Sequence, residues 1–181
     1  REHRKGAKRA DIIIVSKCPK DLSPSIKNKI KKRIICYSSA TIIFTKISYE
    51  APIDHNNNKT SIDSKKKYLL ITSIANPYPI YEHLSENKIM FTTKKYRDHN
   101  NFTKTQIQKL LEISRQYDAI ITTEKDWMRL KETELVNAVS IDIVRLRMKM
   151  EFIYSKENLK FKNQITTLIN KTTPWKIFYF F

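Results

Sequence analysis

Short runs of β-branched and aromatic residues return at intervals along this chain, and most are followed by a stretch with helical periodicity. No other feature constrains the fold as tightly. Strands alternating with helices at this spacing imply βαβ units and a mostly parallel sheet. "DIIIVS", from Asp11 to Ser16, reads as a strand buried on both faces. In the segment after it, Ser23 is placed to cap a helix and Pro24 to open it, with Ile26, Ile30 and Ile34 repeating every four residues on one side. "ATIIFTKISY", Ala40 to Tyr49, is the next strand. Residues 50–67, "EAPIDHNNNKTSIDSKKK", are polar and lack periodicity, which predicts a linker.

The pattern then restarts. "KYLLITSIA" from Lys67 predicts a strand, "NPYPIYEHLSEN" a turn into a short helix, and "KIMFTT" another strand. The helix predicted from Thr103 carries Ile107, Leu110, Leu111 and Ser114 on one face. Thr103 and Gln106 form a capping box at its start. "DAIITT", "EKDWMRLKE", "VSIDIVRLRM" and "SKENLKFKNQITTLIN" continue as strand, short helix, strand and helix. The expected fold is α/β: the end of one parallel-sheet core over 1–49, a linker over 50–67, and a second α/β lobe over 68–181.

Composition narrows the partners. Against 18 Asp and Glu stand 35 Lys and Arg, a net charge of +17, which favours anionic partners such as phosphorylated substrates, nucleic acid or an acidic membrane surface. The basic residues are spread along the chain rather than gathered in a block, which weighs against nucleic acid. A general bias toward Lys, Asn, Ile and Tyr accounts for the same charge without a partner. Cys18 and Cys36 are too few for a disulfide framework or a zinc site, and both lie near apolar runs, so they are expected to be reduced core residues. No apolar stretch reaches the roughly 20 residues that span a bilayer. Gly6 is the one glycine, so a Walker A phosphate loop cannot be built from these residues. The opening "REHRKGAKRAD" has neither initiator Met nor leader, which suggests a fragment whose beginning is missing.

In open α/β sheets, ligands bind where strands end and loops lead into helices. Two such loops have unusual content. "KKYRDHNNFT" carries Asp98 and His99 just before a helix, with Lys94, Lys95 and Arg97 beside them. Imidazole suits proton transfer near neutral pH, and a neighbouring carboxylate can orient it. A solvated turn accounts for the same residue types. "TTEKDWMRL" places Thr122, Thr123, Glu124, Lys125 and Asp126 at a helix start, with Thr123 and Asp126 spaced as a capping box. A purely structural helix start also explains most of that stretch, and Trp127 reads as core. At the beginning, Arg1 and Glu2 offer a guanidinium for phosphate and a carboxylate for Mg2+.

"RE", "KRADIIIVSKCP", "ITSIANPYPIYEHL", "YRDHNNFTKTQIQKL" and "DAIITTEKDWMRL" follow one another in an order and spacing that resemble the C-terminal part of the tetraacyldisaccharide 4'-kinases, the lipid A 4'-kinases. The resemblance is clearest over 1–49 and 68–130. It implies a P-loop fold with a second α/β lobe, and transfer of the γ-phosphate of ATP to the 4'-hydroxyl of a tetraacyldisaccharide 1-phosphate. It implies ATP and Mg2+ as cofactors, held mainly by an absent N-terminal half that also carries the P-loop, so the fragment is expected to be inactive alone. It implies an enzyme peripheral to the cytoplasmic face of the bacterial inner membrane, with an anionic glycolipid substrate. Asp98 and His99 then match the family's catalytic Asp-His pair, whose histidine enters the active site from the second lobe and works with an aspartate of the absent half. Arg1 and Glu2 match its residues near phosphates or metal, and Thr122 to Asp126 form a supporting loop. Ser73 stands where the family usually has Gly, Arg97 where Pro is common, and Asn100 where a second His is common. The competing reading is a non-catalytic basic α/β module that binds nucleic acid or another anionic partner.

Overall fold

The computed structural model describes residues 3–170 and 177–180. In chain order the elements are a 3-10 helix (Arg4–Arg9), β1 (Ile12–Cys18), α1 (Pro24–Ile35), β2 (Thr41–Tyr49), β3 (Lys67–Thr72), α2 (Tyr78–Glu86), β4 (Met90–Lys95) and α3 (Lys104–Ser114). They continue with β5 (Ala119–Thr123), α4 (Glu124–Leu130), α5 (Leu135–Ala138), β6 (Asp142–Leu146), β7 (Met148–Phe152), α6 (Ser155–Ile169) and β8 (Ile177–Phe180). They form two compact units, one from residues up to Ser48 and from Lys149 on, the other from Tyr49–Met148.

The first unit has a four-stranded sheet in the order β7-β2-β1-β8, with β1 parallel to both β2 and β8. Successive residues of β1 point to opposite faces, and both faces are covered. Ile12 and Ile14 pack with Ile43 and Leu168, whereas Ile13 packs with Ala7 and Ile34. Ser23 caps α1 by accepting from Ile26 N at 3.3 Å, with Pro24 in the first turn. The isoleucine stripe of α1 is buried only at its second half: Ile34 is in the core, Ile30 is half-buried and Ile26 is exposed. Cys18 is half-buried and Cys36 exposed, both as free thiols. Cys36 sits at the C-cap of α1, where the helix ends in water, so the expectation that both are core residues fails for it.

The second unit holds a wholly parallel sheet in the order β4-β3-β5-β6. Tyr68, Leu70, Ala119, Ile121, Val144 and Leu146 form one core with Ile80 and Leu84 of α2. Leu69, Ile71, Ile120 and Ile143 form the other, with Ile107 and Leu110 of α3 and Trp127 and Leu130 of α4. The strands therefore read as continuous apolar runs because each face needs alternate residues. From β3 the chain runs out to β4 on one side, then crosses to β5 on the other. The carboxyl ends of β3 and β5 thus flank a topological switch point, the place where open α/β sheets take ligands.

Two expected boundaries change. Residues from Lys149 on belong to the first unit rather than to a lobe over 68–181, because β7 lies beside β2 and Leu168 of α6 covers Ile12 and Ile14. Residues 50–67 are part of the second unit rather than a free linker. Ile53 is buried and pairs antiparallel with Arg145 of β6, exchanging backbone bonds of 3.2 and 2.8 Å. The buried Arg145 side chain then donates to Asp54 O at 3.0 Å and Asn57 Oδ1 at 2.6 Å. A polar segment is held here by two isoleucines, Ile53 and Ile62, by the Tyr68 hydroxyl, which accepts from Asp63 N at 2.9 Å, and by one buried guanidinium, a pattern that lacks periodicity in sequence.

Candidate active site

The Asp98–His99 loop leaves β4 and folds back over the end of β3. Tyr96 N donates to Thr72 O at 2.8 Å and His99 N to Ser73 O at 3.2 Å. The Tyr96 and Phe102 rings meet edge to face at 5.1 Å, closing the base of the loop on the α3 side of the sheet. At the far end the expected capping box is present. Thr103 Oγ1 accepts from Gln106 N, and Gln106 Oε1 accepts from Thr103 N at 3.0 Å and from Asn100 Nδ2 at 3.2 Å. Asn100 is therefore part of the loop's own scaffold.

His99 has φ of +59°, in the left-handed region. Non-glycine residues enter it at a cost of roughly 1 kcal/mol or more, and such residues gather at sites where the surroundings impose them. Here the imposing bonds are those of His99 N to Ser73 O and, at 3.1 Å, to Asp98 Oδ1. The turn leaves the His99 side chain 69% exposed, so the strain serves presentation rather than packing.

α4 supplies the other half. Lys125 Nζ lies 2.9 Å from Asp98 Oδ1, and Arg129 Nη2 donates to His99 Nδ1 at 3.1 Å. Lys125 and Arg129 are one helical turn apart, so one face of α4 meets the acid and the imidazole together. Arginine has no acceptor, so Nδ1 uses its lone pair. The proton of the neutral ring then sits on Nε2, which faces Asp98 Oδ2 at 3.6 Å.

The hydrogen bond from Lys125, aided by the neighbouring His99 and against partial desolvation, holds the Asp98 carboxyl below its ordinary value of 3.8. A carboxyl depressed in the fold contributes stability that is fully present above its ordinary value and is lost as pH falls through the lowered one. A carbon-detected NMR titration of this chain is expected to place the Asp98 midpoint below 3.8, and Lys125→Met to move it upward. A midpoint unmoved by Lys125→Met would remove the ion pair as the cause.

Asp126 has a different task. It is fully buried and accepts from Ser73 N at 2.9 Å, from Ser73 Oγ, and from Thr123 Oγ1 at 2.9 Å. Thr123 caps α4 by accepting from Asp126 N at 3.0 Å, but the reciprocal arm of a capping box is replaced by the reach to Ser73. This carboxylate thereby ties the end of β3 to the start of α4 across the switch point. Thr122 is buried and donates to Ile71 O at 3.0 Å, a sheet-internal bond. Glu124 turns the other way, toward Arg147 at 3.4 Å and Arg145 at 3.9 Å. Of the five residues of this loop, Lys125 reaches the Asp-His pair and Asp126 supports it. The others do neither directly.

Arg1 and Glu2 lie outside the described residues. Among the described residues, no three His, Cys, Asp or Glu side chains are grouped so as to hold a metal ion, and no helix is long and apolar enough to cross a membrane. Sequence reasoning missed Arg129 and the Ser73–Asp126 tie. The i, i+4 spacing of Lys125 and Arg129 was a readable signal for the first. Nothing local signals the second, which joins residues 53 positions apart.

Over residues 1–170 the chain matches the family described as tetraacyldisaccharide-1-P 4'-kinase. It is 36% identical over 178 residues to the tetraacyldisaccharide 4'-kinase of Flavobacterium psychrophilum, an overlap of 96% of this chain and 49% of that protein. The corresponding protein of Phocaeicola vulgatus is 32% identical over 186 residues, 96% of this chain and 50% of that one. The chain spans about half the length of the curated relatives it matches. Among solved structures, LpxK from Aquifex aeolicus in complex with ATP aligns with a TM-score of 0.50 over 88% of this chain and 52% of that one. At 11% identity that likeness speaks for the fold alone.

Proposed function

Since this chain belongs to the tetraacyldisaccharide-1-P 4'-kinase family, we propose that it is the C-terminal portion of a lipid A 4'-kinase and carries its proton-accepting histidine. The observation that carries this reading is the placement of His99. A strained, exposed imidazole stands at the carboxyl end of the sheet, with Asp98 and Arg129 on its two nitrogens. Phosphoryl transfer asks the protein mainly for positioning and charge stabilisation, plus one group that orients and deprotonates the nucleophile. In the reaction, the 4'-oxygen of the tetraacyldisaccharide 1-phosphate bonds to the γ-phosphorus of ATP. The bond from that phosphorus to the β–γ bridging oxygen breaks and ADP leaves. The hydroxyl proton passes to His99 Nδ1 once Arg129 has given up that nitrogen, and Asp98 steadies the imidazolium through Nε2.

ATP and Mg2+ belong to this reading as ligands held mainly by residues beyond these 181. One glycine excludes a phosphate-cradling loop here, and the acidic side chains of the described structure do not cluster to fit a metal. Mg2+, when bound, supplies neutralisation of phosphate charge. Arg1 and Glu2 remain proposed for the vicinity of the phosphates. The net charge of +17 complements an anionic glycolipid at the cytoplasmic face of the inner membrane, where each nearby Lys or Arg contributes about 1 kcal/mol.

By calorimetry these residues alone are expected to bind no ATP. A chimera in which they replace the matching half of the Flavobacterium psychrophilum relative is expected to transfer labelled γ-phosphate to the tetraacyldisaccharide 1-phosphate. Micromolar ATP binding by the chain alone would contradict the division of labour.

A further inference from the structure

We propose that Arg129 is a positioning residue for His99: it clamps the imidazole through Nδ1 and keeps that nitrogen an acceptor. The inference rests on the proton-transfer reading above for its purpose, but not for its geometry. An imidazole this exposed has no packing to hold its ring, and Asp98 alone reaches it at 3.6 Å, too long for a firm hydrogen bond. The 3.1 Å bond from Arg129 is the shorter of the two contacts and comes from a different element. A ring held at opposite nitrogens from two elements has its plane fixed, and catalytic geometry is sensitive to displacements on the order of 1 Å.

Arg129 is itself well placed to do this. Its neighbours on α4, Trp127 and Leu130, are buried in the core, so the helix cannot easily turn. Its guanidinium lies 3.9 Å from the buried Asp126 carboxylate, which holds it by charge. Nη1 is buried without a hydrogen-bond partner, so the guanidinium spends its well-formed side-chain hydrogen bond on His99 rather than on Asp126. Support therefore runs from the core to α4, from Asp126 to Arg129, and from Arg129 to the ring. The lone pair that Arg129 occupies is also the one a substrate hydroxyl would donate to, so the guanidinium holds the ring ready in the unliganded chain and yields Nδ1 when the hydroxyl arrives.

The test is NMR on this chain, with ring-carbon relaxation and ring-nitrogen shifts of His99 read against His55, an exposed histidine in the same molecule. The parent is expected to show a rigid His99 ring with Nδ1 unprotonated in the neutral form, beside a mobile His55 ring. Arg129→Met is expected to raise His99 mobility to the level of His55, with amide spectra of β3, β5 and α3 unchanged. Arg129→Lys, which keeps a donor at the site, is expected to restore part of the rigidity. A His99 ring already as mobile as His55 in the parent, or one that stays rigid in Arg129→Met, would overturn the clamp. If Arg129→Met disturbs the fold, the parent spectrum and Arg129→Lys still decide. The functional reading fails separately: a clamped ring in this chain, together with full turnover by a chimera that has lost His99, leaves Arg129 as a clamp without a catalytic purpose.

Discussion

Replacing Asp126 by Ala is expected to cost this chain about 3–5 kcal/mol of stability, a large share of the roughly 5–15 kcal/mol that holds an ordinary domain together. The carboxylate is fully buried and accepts three hydrogen bonds, two of them from Ser73 and one from Thr123. Bonds to a charged acceptor are worth about 1.5–3 kcal/mol each, and the Ser73 amide would be left unpaired where water does not reach. Asp126→Asn is expected to fall short as well, since one carboxylate oxygen becomes an amide donor facing another donor. Ser73→Gly removes only the hydroxyl bond and is expected to cost less than either. Urea unfolding followed by circular dichroism measures all three. A loss under about 1 kcal/mol for Asp126→Ala would put it with ordinary surface substitutions and would undo its assigned role as a tie between β3 and α4.

The sequence shows the elements well and their assembly less well. Continuous apolar runs and caps locate β1, β3, β5, α1 and α3, because those signals are local: Ser23, Pro24, Thr103 and Gln106 act within one helical turn. The second sheet follows from the alternation itself. What was not legible depends on long-range pairing. β7 and α6 return to the first sheet, and nothing in "KMEF" or in α6 says which sheet they join. Residues 50–67 look like a linker because their anchors, Ile53 and Ile62 within the segment and Arg145 far from it, give no periodicity. The site divides in the same way. The adjacency of Asp98 and His99 is visible in the sequence, and so is the helix start at Thr123. That Lys125 and Arg129 face the pair follows only once β3, β4 and β5 lie side by side. That Asp126 turns inward to Ser73 is a matter of three dimensions. The strand and helix pattern puts His99 in a loop at a strand end, where the structure has it, but the left-handed backbone that presents it could not be read from its residue type.

The measurement that bears most directly on the account is the turnover of the chimera with and without His99. General bases contribute about 10²–10⁴ in rate, so His99→Ala is expected to lower kcat by that factor and to leave KM for both substrates nearly unchanged. Ala at a φ of +59° adds a backbone penalty of its own, so His99→Asn is the matched control. Asn tolerates the left-handed turn and keeps polar atoms, yet it cannot accept a proton at neutral pH. Both variants losing turnover while their unfolding curves stay close to the parent's is the result this account predicts. A folded His99→Asn chimera that phosphorylates the tetraacyldisaccharide 1-phosphate at the parent rate would contradict it, and would return the Asp98–His99 loop to the standing of a well-built turn.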